Sequence, residues 1–151
     1  MSPDVLVIGI GNDFRGDDGV GLAVAAEIAN RQLHDVHVLT ATGEPAAILE
    51  DWTGISLVVA VDAAMGEGST AGTIRRWMPG DDTAPNVVSS HALGLPQTFA
   101  LGQALGRIPQ RLVVFTVDVE DISHGVTLTP AVAAAVPAAV EAILAELQRR
   151  S

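Results

Sequence analysis

The 151-residue chain contains no cysteine, no lysine and no tyrosine. Without cysteine there are no disulfides, thiolate metal sites or thiol nucleophiles, and nothing points to an oxidising compartment. Without lysine there is no Schiff-base chemistry and no phosphate-binding P-loop; all eight basic residues are arginine. Aromatic residues are only 3% of the chain, so Ala, Val, Leu and Ile must build the core. Positive charge is also scarce: 18 acidic residues against 8 basic ones give a net charge of −10. Counterion release from a phosphate backbone needs a cationic surface, which argues against nucleic-acid partners. No basic stretch precedes an apolar one at the N-terminus, and Asp4 stands where it would begin. No uninterrupted apolar run reaches the ~18 residues of a membrane span. The expectation is one cytoplasmic domain over residues 1–151 with no membrane partner. At this length about two-thirds of the unfolded surface can be buried, and 48% apolar residues supply the material.

Hydrophobic patterning gives the element order. Val5–Ile10 (VLVIGI) is short, wholly apolar and ended by Gly11-Asn12, the pattern of a buried strand. A loop over Asn12–Asp18 leads into Gly19–Leu33, where Val20, Val24 and Ile28 recur at helical spacing. Val36–Thr40 reads as a second strand. Gly43-Glu44-Pro45 is a turn with proline at a first helical position, followed by a short helix over Ala46–Trp52. Leu57–Val61 (LVVAV) is a third buried strand ending at Asp62, and Ala63–Ala71 reads as a loop. Gly72–Trp77 is a fourth strand, Pro79–Ser90 a long polar loop, and His91–Gly106 a helical region. Leu112–Val117 is another buried strand, followed by an acidic loop over Asp118–Thr127. Thr129-Pro130 is an N-cap followed by proline at N1. The C-terminal helix presents Val132, Val136, Val140, Leu144 and Leu147 as one stripe, and Pro137 is expected to kink or divide it. Apolar strands alternating with amphipathic helices predict an α/β domain. It has three layers: a mostly parallel twisted sheet of about five strands, with helices on both faces.

Four residues stand out for chemistry. The loop after the first strand carries Asp17 and Asp18 at a helix N-terminus. A dinucleotide fingerprint from Gly9 would need glycine where Phe14 stands, and two carboxylates would repel a pyrophosphate there. One aspartate suffices to compensate the helix dipole, so a pair leaves room for a ligand role. Asp62 ends the third buried strand, and doubly wound sheets bind ligands beyond the carboxyl ends of their strands. If the first and third strands are neighbours, Asp18 and Asp62 face one crevice. His91 opens a helical region, where the positive dipole end favours the neutral imidazole that ligates metals. Two carboxylates and an imidazole suit a borderline divalent ion such as nickel or zinc. Each of these residues also has a purely structural reading, as a cap, a turn residue or a packed histidine. His34 and His37 straddle a helix end and a strand start and read as surface residues. His124 lies in the acidic loop near Asp118, Glu120 and Asp121. Glu44, Glu50 and Asp51 read as a solvated face. Ser89 and Ser90 read as N-caps rather than members of a triad with His91, and no GxSxG elbow is present.

Five segments in this order resemble the hydrogenase maturation proteases. They are Val7-Ile8-Gly9-Ile10-Gly11-Asn12, Arg15-Gly16-Asp17-Asp18-Gly19-Val20-Gly21, Val59-Ala60-Val61-Asp62-Ala63, Ser90-His91-Ala92-Leu93-Gly94-Leu95 and Leu128-Thr129-Pro130. The resemblance runs from about residue 4 to the C-terminus. It implies an endopeptidase that removes a short C-terminal extension from the [NiFe]-hydrogenase large-subunit precursor after nickel insertion. It also implies that three residues contact the nickel, mapping onto Asp18, Asp62 and His91, and that the nickel arrives with the substrate rather than residing in the enzyme. Two departures stand out. The first metal-contacting acid is often Glu in the family and is Asp18 here, one methylene shorter. A Gly-Gly-Thr segment common after the second strand is replaced by Thr42-Gly43-Glu44-Pro45. Two chemistries stay open. The metal polarises the carbonyl or activates a water, or Asp17 or Asp62 acts as general base while the metal serves recognition. Two rival readings stay open as well: a non-catalytic nickel-checkpoint protein for the immature subunit, and a stand-alone metallo-amidohydrolase. Oligomeric state is not readable from the sequence.

Overall fold

A computed structural model describes residues 5–11, 19–42, 44–65, 70–78, 88–89, 95–119 and 128–149. Among the described residues, six strands and four helices follow one another as β1 (Val5–Ile10), α1 (Val20–Asn30), β2 (Val36–Ala41), α2 (Pro45–Trp52), β3 (Leu57–Met65), β4 (Ile74–Trp77), β5 (Val88–Ser89), α3 (Leu95–Leu105), β6 (Arg111–Asp118) and α4 (Pro130–Gln148). The main sheet has the order β2-β1-β3-β6-β4, and β5 adds to β3. β1, β2, β3 and β6 are parallel; β4 and β5 run antiparallel to their neighbours. The expected mostly parallel sheet between helices is what forms.

Strand alternation divides the core in two. Val5, Val7, Val59, Val61, Val113 and Phe115 face α1 and α4, packing on Val24, Ile28, Val140 and Ile143. Leu6, Ile8, Ile10, Val58, Ala60 and Val114 face α2 and α3, packing on Ile48, Trp52 and Leu95. The central strands are buried on both faces, which is why they read as continuous apolar runs rather than alternating ones. Trp52 supplies bulk that the chain otherwise lacks, and its indole N–H donates to the Arg107 carbonyl at 2.8 Å.

Several boundaries differ from the sequence expectation. β3 does not stop before Asp62 but continues to Met65, because β6 pairs with it through Ala64↔Asp118 and β5 pairs at Ala64↔Ser89. The small residues Ala63 and Ala64 imitate a loop while sitting fully buried in the sheet. Asp118 is likewise the last residue of β6 rather than the start of a loop. Ser89 is a strand residue, not an N-cap.

Pro137 does not divide α4, which runs unbroken over 19 residues. The proline lies on the exposed side, so the helix loses one backbone bond there without losing its packing. Thr129 takes the N-cap position with extended backbone, and its carbonyl accepts from the Ala133 N–H at 2.8 Å. The buried stripe is Val132, Ala135, Ala139, Val140, Ile143, Glu146 and Leu147. Val136 and Leu144 are only half-buried, so the face is rotated from the expected one. With a mean hydropathy of 1.6, α4 is also long and apolar enough to cross a membrane by length and composition. The uninterrupted apolar runs are short, because Pro137, Glu141 and Glu146 break them without lowering the average much. In the fold that stripe packs against α1 and the sheet.

Candidate active site

The chain turns from β1 outward to β2 and then returns to place β3 on the other side of β1. The β1/β3 boundary is therefore the topological switch point, where a crevice opens beyond the carboxyl ends of the strands. The two strands are paired from Val5↔Leu57 to Gly9↔Val61. Asp62 is the next residue. It is 1% exposed, and its Oδ1 accepts the Ala63 N–H at 2.8 Å. Its side chain shares the α2/α3 face with Val58 and Ala60.

The first turn of α1 is seated directly on this end of the sheet. A Cβ on Gly21 would strike the Ile10 carbonyl oxygen and lie 2.6 Å from that of Val61. A Cβ on Gly9 would strike the Gly21 carbonyl oxygen. Backbone thus meets backbone, which only glycine permits at both positions. Gly19, the N-cap of α1, is two residues before this contact. On the other side of the chain path, Gly11 donates its N–H to the Ala41 carbonyl at 3.0 Å. Gly11 and Gly19 are thereby both held beside the switch point.

A polar row crosses the sheet at the level of Asp62. Asp62 on β3 is in register with Thr116 on β6, and Thr116 with Arg75 on β4. Arg75 turns toward Asp118, two residues further along β6. Its Nε lies 3.3 Å from each carboxylate oxygen and one terminal nitrogen 3.1 Å from Oδ2. Asp118 is fully buried, and its hydrogen bond and charge raise the Arg75 guanidinium above its ordinary range. This pair was not anticipated. Its sequence signal was the alternation of Thr116 and Asp118 with apolar residues in β6.

On the opposite face, Glu146 of α4 is 1% exposed and is met by Arg76 at 2.6 Å and Arg111 at 3.3 Å. Arg149 adds a third guanidinium at 3.9 Å. This cluster also escaped the sequence reading. It lies on the α1/α4 side and ties β4, β6 and α4 together, so it belongs to the framework rather than to the crevice. A cleft of about 460 Å³ between α1, β2 and α4 is lined by Leu33, Val36, Leu144 and Leu147, with Arg31 and His34 beside them. It sits at the amino end of the sheet, away from Asp62.

Of the residues singled out from the sequence, Asp62 is placed at the switch point. Asp17, Asp18 and His91 lie outside the described residues, as do Ser90, Glu120, Asp121 and His124. Among the described residues no three His, Asp or Glu side chains converge as a metal site. His34 and His37 are exposed, and His34 lies 3.4 Å from Asp35. Glu44, Glu50 and Asp51 are exposed as expected.

A doubly wound α/β domain with a buried carboxylate at its switch point defines the class: a small three-layer domain whose site lies where the strand order reverses. Comparison with known proteins makes it specific. Residues 22–146 match the family model for hydrogenase maturation protease, HycI. The chain is 27% identical over 150 residues to the hydrogenase 2 maturation protease of Escherichia coli K12, covering 95% of this chain and 90% of that one. It is 29% identical over 149 residues to the hydrogenase expression/formation protein HupD of Thiocapsa roseopersicina, covering 94% of this chain and 66% of that one. Among solved structures, an endopeptidase from Escherichia coli superimposes with a TM-score of 0.83 at 27% identity, covering 96% of this chain and 92% of that chain. The chain belongs to the hydrogenase maturation protease family.

Proposed function

We propose that this protein is a cytoplasmic endopeptidase that removes a short C-terminal extension from the nickel-loaded precursor of a [NiFe]-hydrogenase large subunit. Asp62, Asp18 and His91 receive the nickel that the precursor carries, and Asp17 stands beside them as a further acid. The observation that carries this reading is the Asp62 carboxylate, buried at the β1/β3 switch point and held by the Ala63 N–H.

Chain geometry supports the other two ligands. Asp18 directly precedes Gly19, and the helix that Gly19 opens rests on the Val61 carbonyl through Gly21. His91 follows Ser89 by two residues, and Ser89 is paired with Ala64, two residues beyond Asp62. Two residues of chain span at most about 7 Å. At the far end of that segment Leu95 is buried with Ile10 and Ala60, on the face that carries Asp62. Oxygen and imidazole donors fit nickel. Docking the metal fixes the scissile bond beside the carboxylates, and positioning of this kind supplies up to ~7–11 kcal/mol of a hydrolytic barrier.

The test mixes the purified chain with nickel-loaded precursor and follows the precursor's intact mass, with metal-free precursor alongside. Loss of a C-terminal fragment only in the presence of nickel is expected. Asp62→Asn keeps the shape and can still accept the Ala63 N–H. It should fold normally and cleave at least about a hundred-fold more slowly. His91→Ala should also lose cleavage. Stable binding without any mass change would instead favour the checkpoint protein. Stoichiometric metal in the isolated chain, together with turnover of small amides, would favour the metallo-amidohydrolase.

A further inference from the structure

Thr116 occupies the middle of the polar row, between Asp62 on one side and Arg75 on the other. It is 3% exposed, and its hydroxyl has no hydrogen-bond partner among the described residues. A buried hydroxyl left unpaired lowers stability, so its presence needs a reason. The strand itself offers none: its neighbours are Val113, Val114, Phe115 and Val117, and valine fits a doubly buried strand better. Backbone carbonyls of β6 are engaged in pairing with β3 and β4. Arg75 is a donor only, and it is committed to Asp118 through three contacts. Across the ladder in the other direction stands the Asp62 carboxylate, on a strand about 4.8 Å away and on the same face. A carboxylate has about four acceptor positions, and the Ala63 N–H takes one of them.

We propose that Thr116 is a positioning residue for Asp62, its unpaired buried hydroxyl donating to the Asp62 carboxylate when the substrate's cation is docked and so fixing the second oxygen for that cation. This rests on the endopeptidase reading. Hydrogen bonds in apo sites are often long and tighten only in the loaded complex, which fits a hydroxyl that waits unpaired. The arrangement differs from a structural threonine in one measurable way, because it trades stability for activity.

Three full-length chains separate the possibilities: wild type, Thr116→Val and Thr116→Ser. Each is assayed for thermal unfolding and for cleavage of the nickel-loaded precursor. The expected result is that Thr116→Val unfolds at the same or a higher temperature than wild type and cleaves about ten- to a hundred-fold more slowly, the range for one charge-assisted hydrogen bond. Thr116→Ser, which keeps the hydroxyl, should recover most of the rate. A clearly lower unfolding temperature for Thr116→Val would show the hydroxyl already satisfied in the free protein and would overturn the proposal. So would Thr116→Val cleaving at the wild-type rate, or Thr116→Ser cleaving as slowly as Thr116→Val. If wild type itself leaves the precursor intact, the endopeptidase reading fails and the role of Thr116 falls with it.

Discussion

Glu146 shows how much a single buried carboxylate can control. Its short hydrogen bond from Arg76, aided by the charges of Arg76, Arg111 and Arg149, holds its pKa below the ordinary value near 4.5 against the opposing effect of burial. A carboxyl depressed in the folded state contributes stability that is present above its unfolded pKa and lost as pH falls through the folded one. The protein should therefore lose stability on acidification below about pH 4.5. Glu146→Gln should be less stable at pH 7 by about 1–3 kcal/mol and should show a flatter pH dependence below that point. The loss stays below that for a fully buried pair because the arginine partners are 36% and 44% exposed. Denaturant titration at a series of pH values checks both. Nothing in the sequence announces this residue. A glutamate in an apolar helix reads as solvent-facing, as Glu141 of the same helix is, and the partners of Glu146 lie 70 and 35 residues away. Asp118 was hidden for the same reason, with Arg75 43 residues distant. Asp62 was legible because local pattern alone marks it: an aspartate at the carboxyl end of a wholly apolar run stands where doubly wound sheets bind ligands.

Among the elements, α1 matters most to the site, because its first turn meets β1 and β3 backbone to backbone at Gly21. Gly21→Ala would gain up to ~1 kcal/mol of helix propensity. It would also drive a methyl group into two carbonyl oxygens, a clash that costs more than the propensity returns. The expected net loss is about 1–3 kcal/mol, with α1 displaced and precursor cleavage reduced more than stability alone explains. A denaturant midpoint and a cleavage rate on the same sample test this. α4 gives a prediction of opposite sign. Pro137 lies on its exposed side and withholds one backbone bond from Ala133. Pro137→Ala should therefore raise stability by about 1–3 kcal/mol, read as a higher unfolding temperature with unchanged cleavage. Every helix and strand but β5 was readable, since periods of two and about 3.6 are local properties; the two residues of β5, Val88 and Ser89, read as part of the Pro79–Ser90 loop because so short a strand shows no period. Where a strand ends was not, because Ala63 and Ala64 become sheet only when β5 and β6 arrive to pair with them.

For the molecule as a whole, the layered arrangement ranks the strands by protection. β1, β3 and β6 are buried on both faces and flanked on both edges, whereas β2 and β4 lie at the edges of the order β2-β1-β3-β6-β4. Native-state hydrogen exchange should find the slowest amides in Val58–Val61 and Val113–Val117, with β2 and β4 exchanging earlier. Comparable protection in β2 would mean that its edge is covered. The layers and sheet class could be anticipated from alternating strands and helices. The placement of β1 beside β3 could only be supposed from sequence, since strand order depends on crossovers that no local pattern encodes. The supposition proved right, and it is what puts Asp62 at the crevice.

The seat of α1 also bears on how freely this chain can change. Where an active-site helix rests on interlocking side chains, each replacement in the interface shifts the helix a little, and the shifts accumulate. Here the contact is peptide on peptide, at Gly9 and Gly21. Val20, Val24, Ala25 and Ile28 hold the rest of the buried face by side-chain packing, whereas either glycine is nearly fixed, because any larger residue meets a carbonyl oxygen that cannot be exchanged for a smaller atom. The design adds two intolerant positions to the buried face and leaves the exposed face of α1 free. A library that randomises the exposed α1 positions Ala26, Glu27, Ala29 and Asn30 and spares both glycines should retain far more active members than one that includes them.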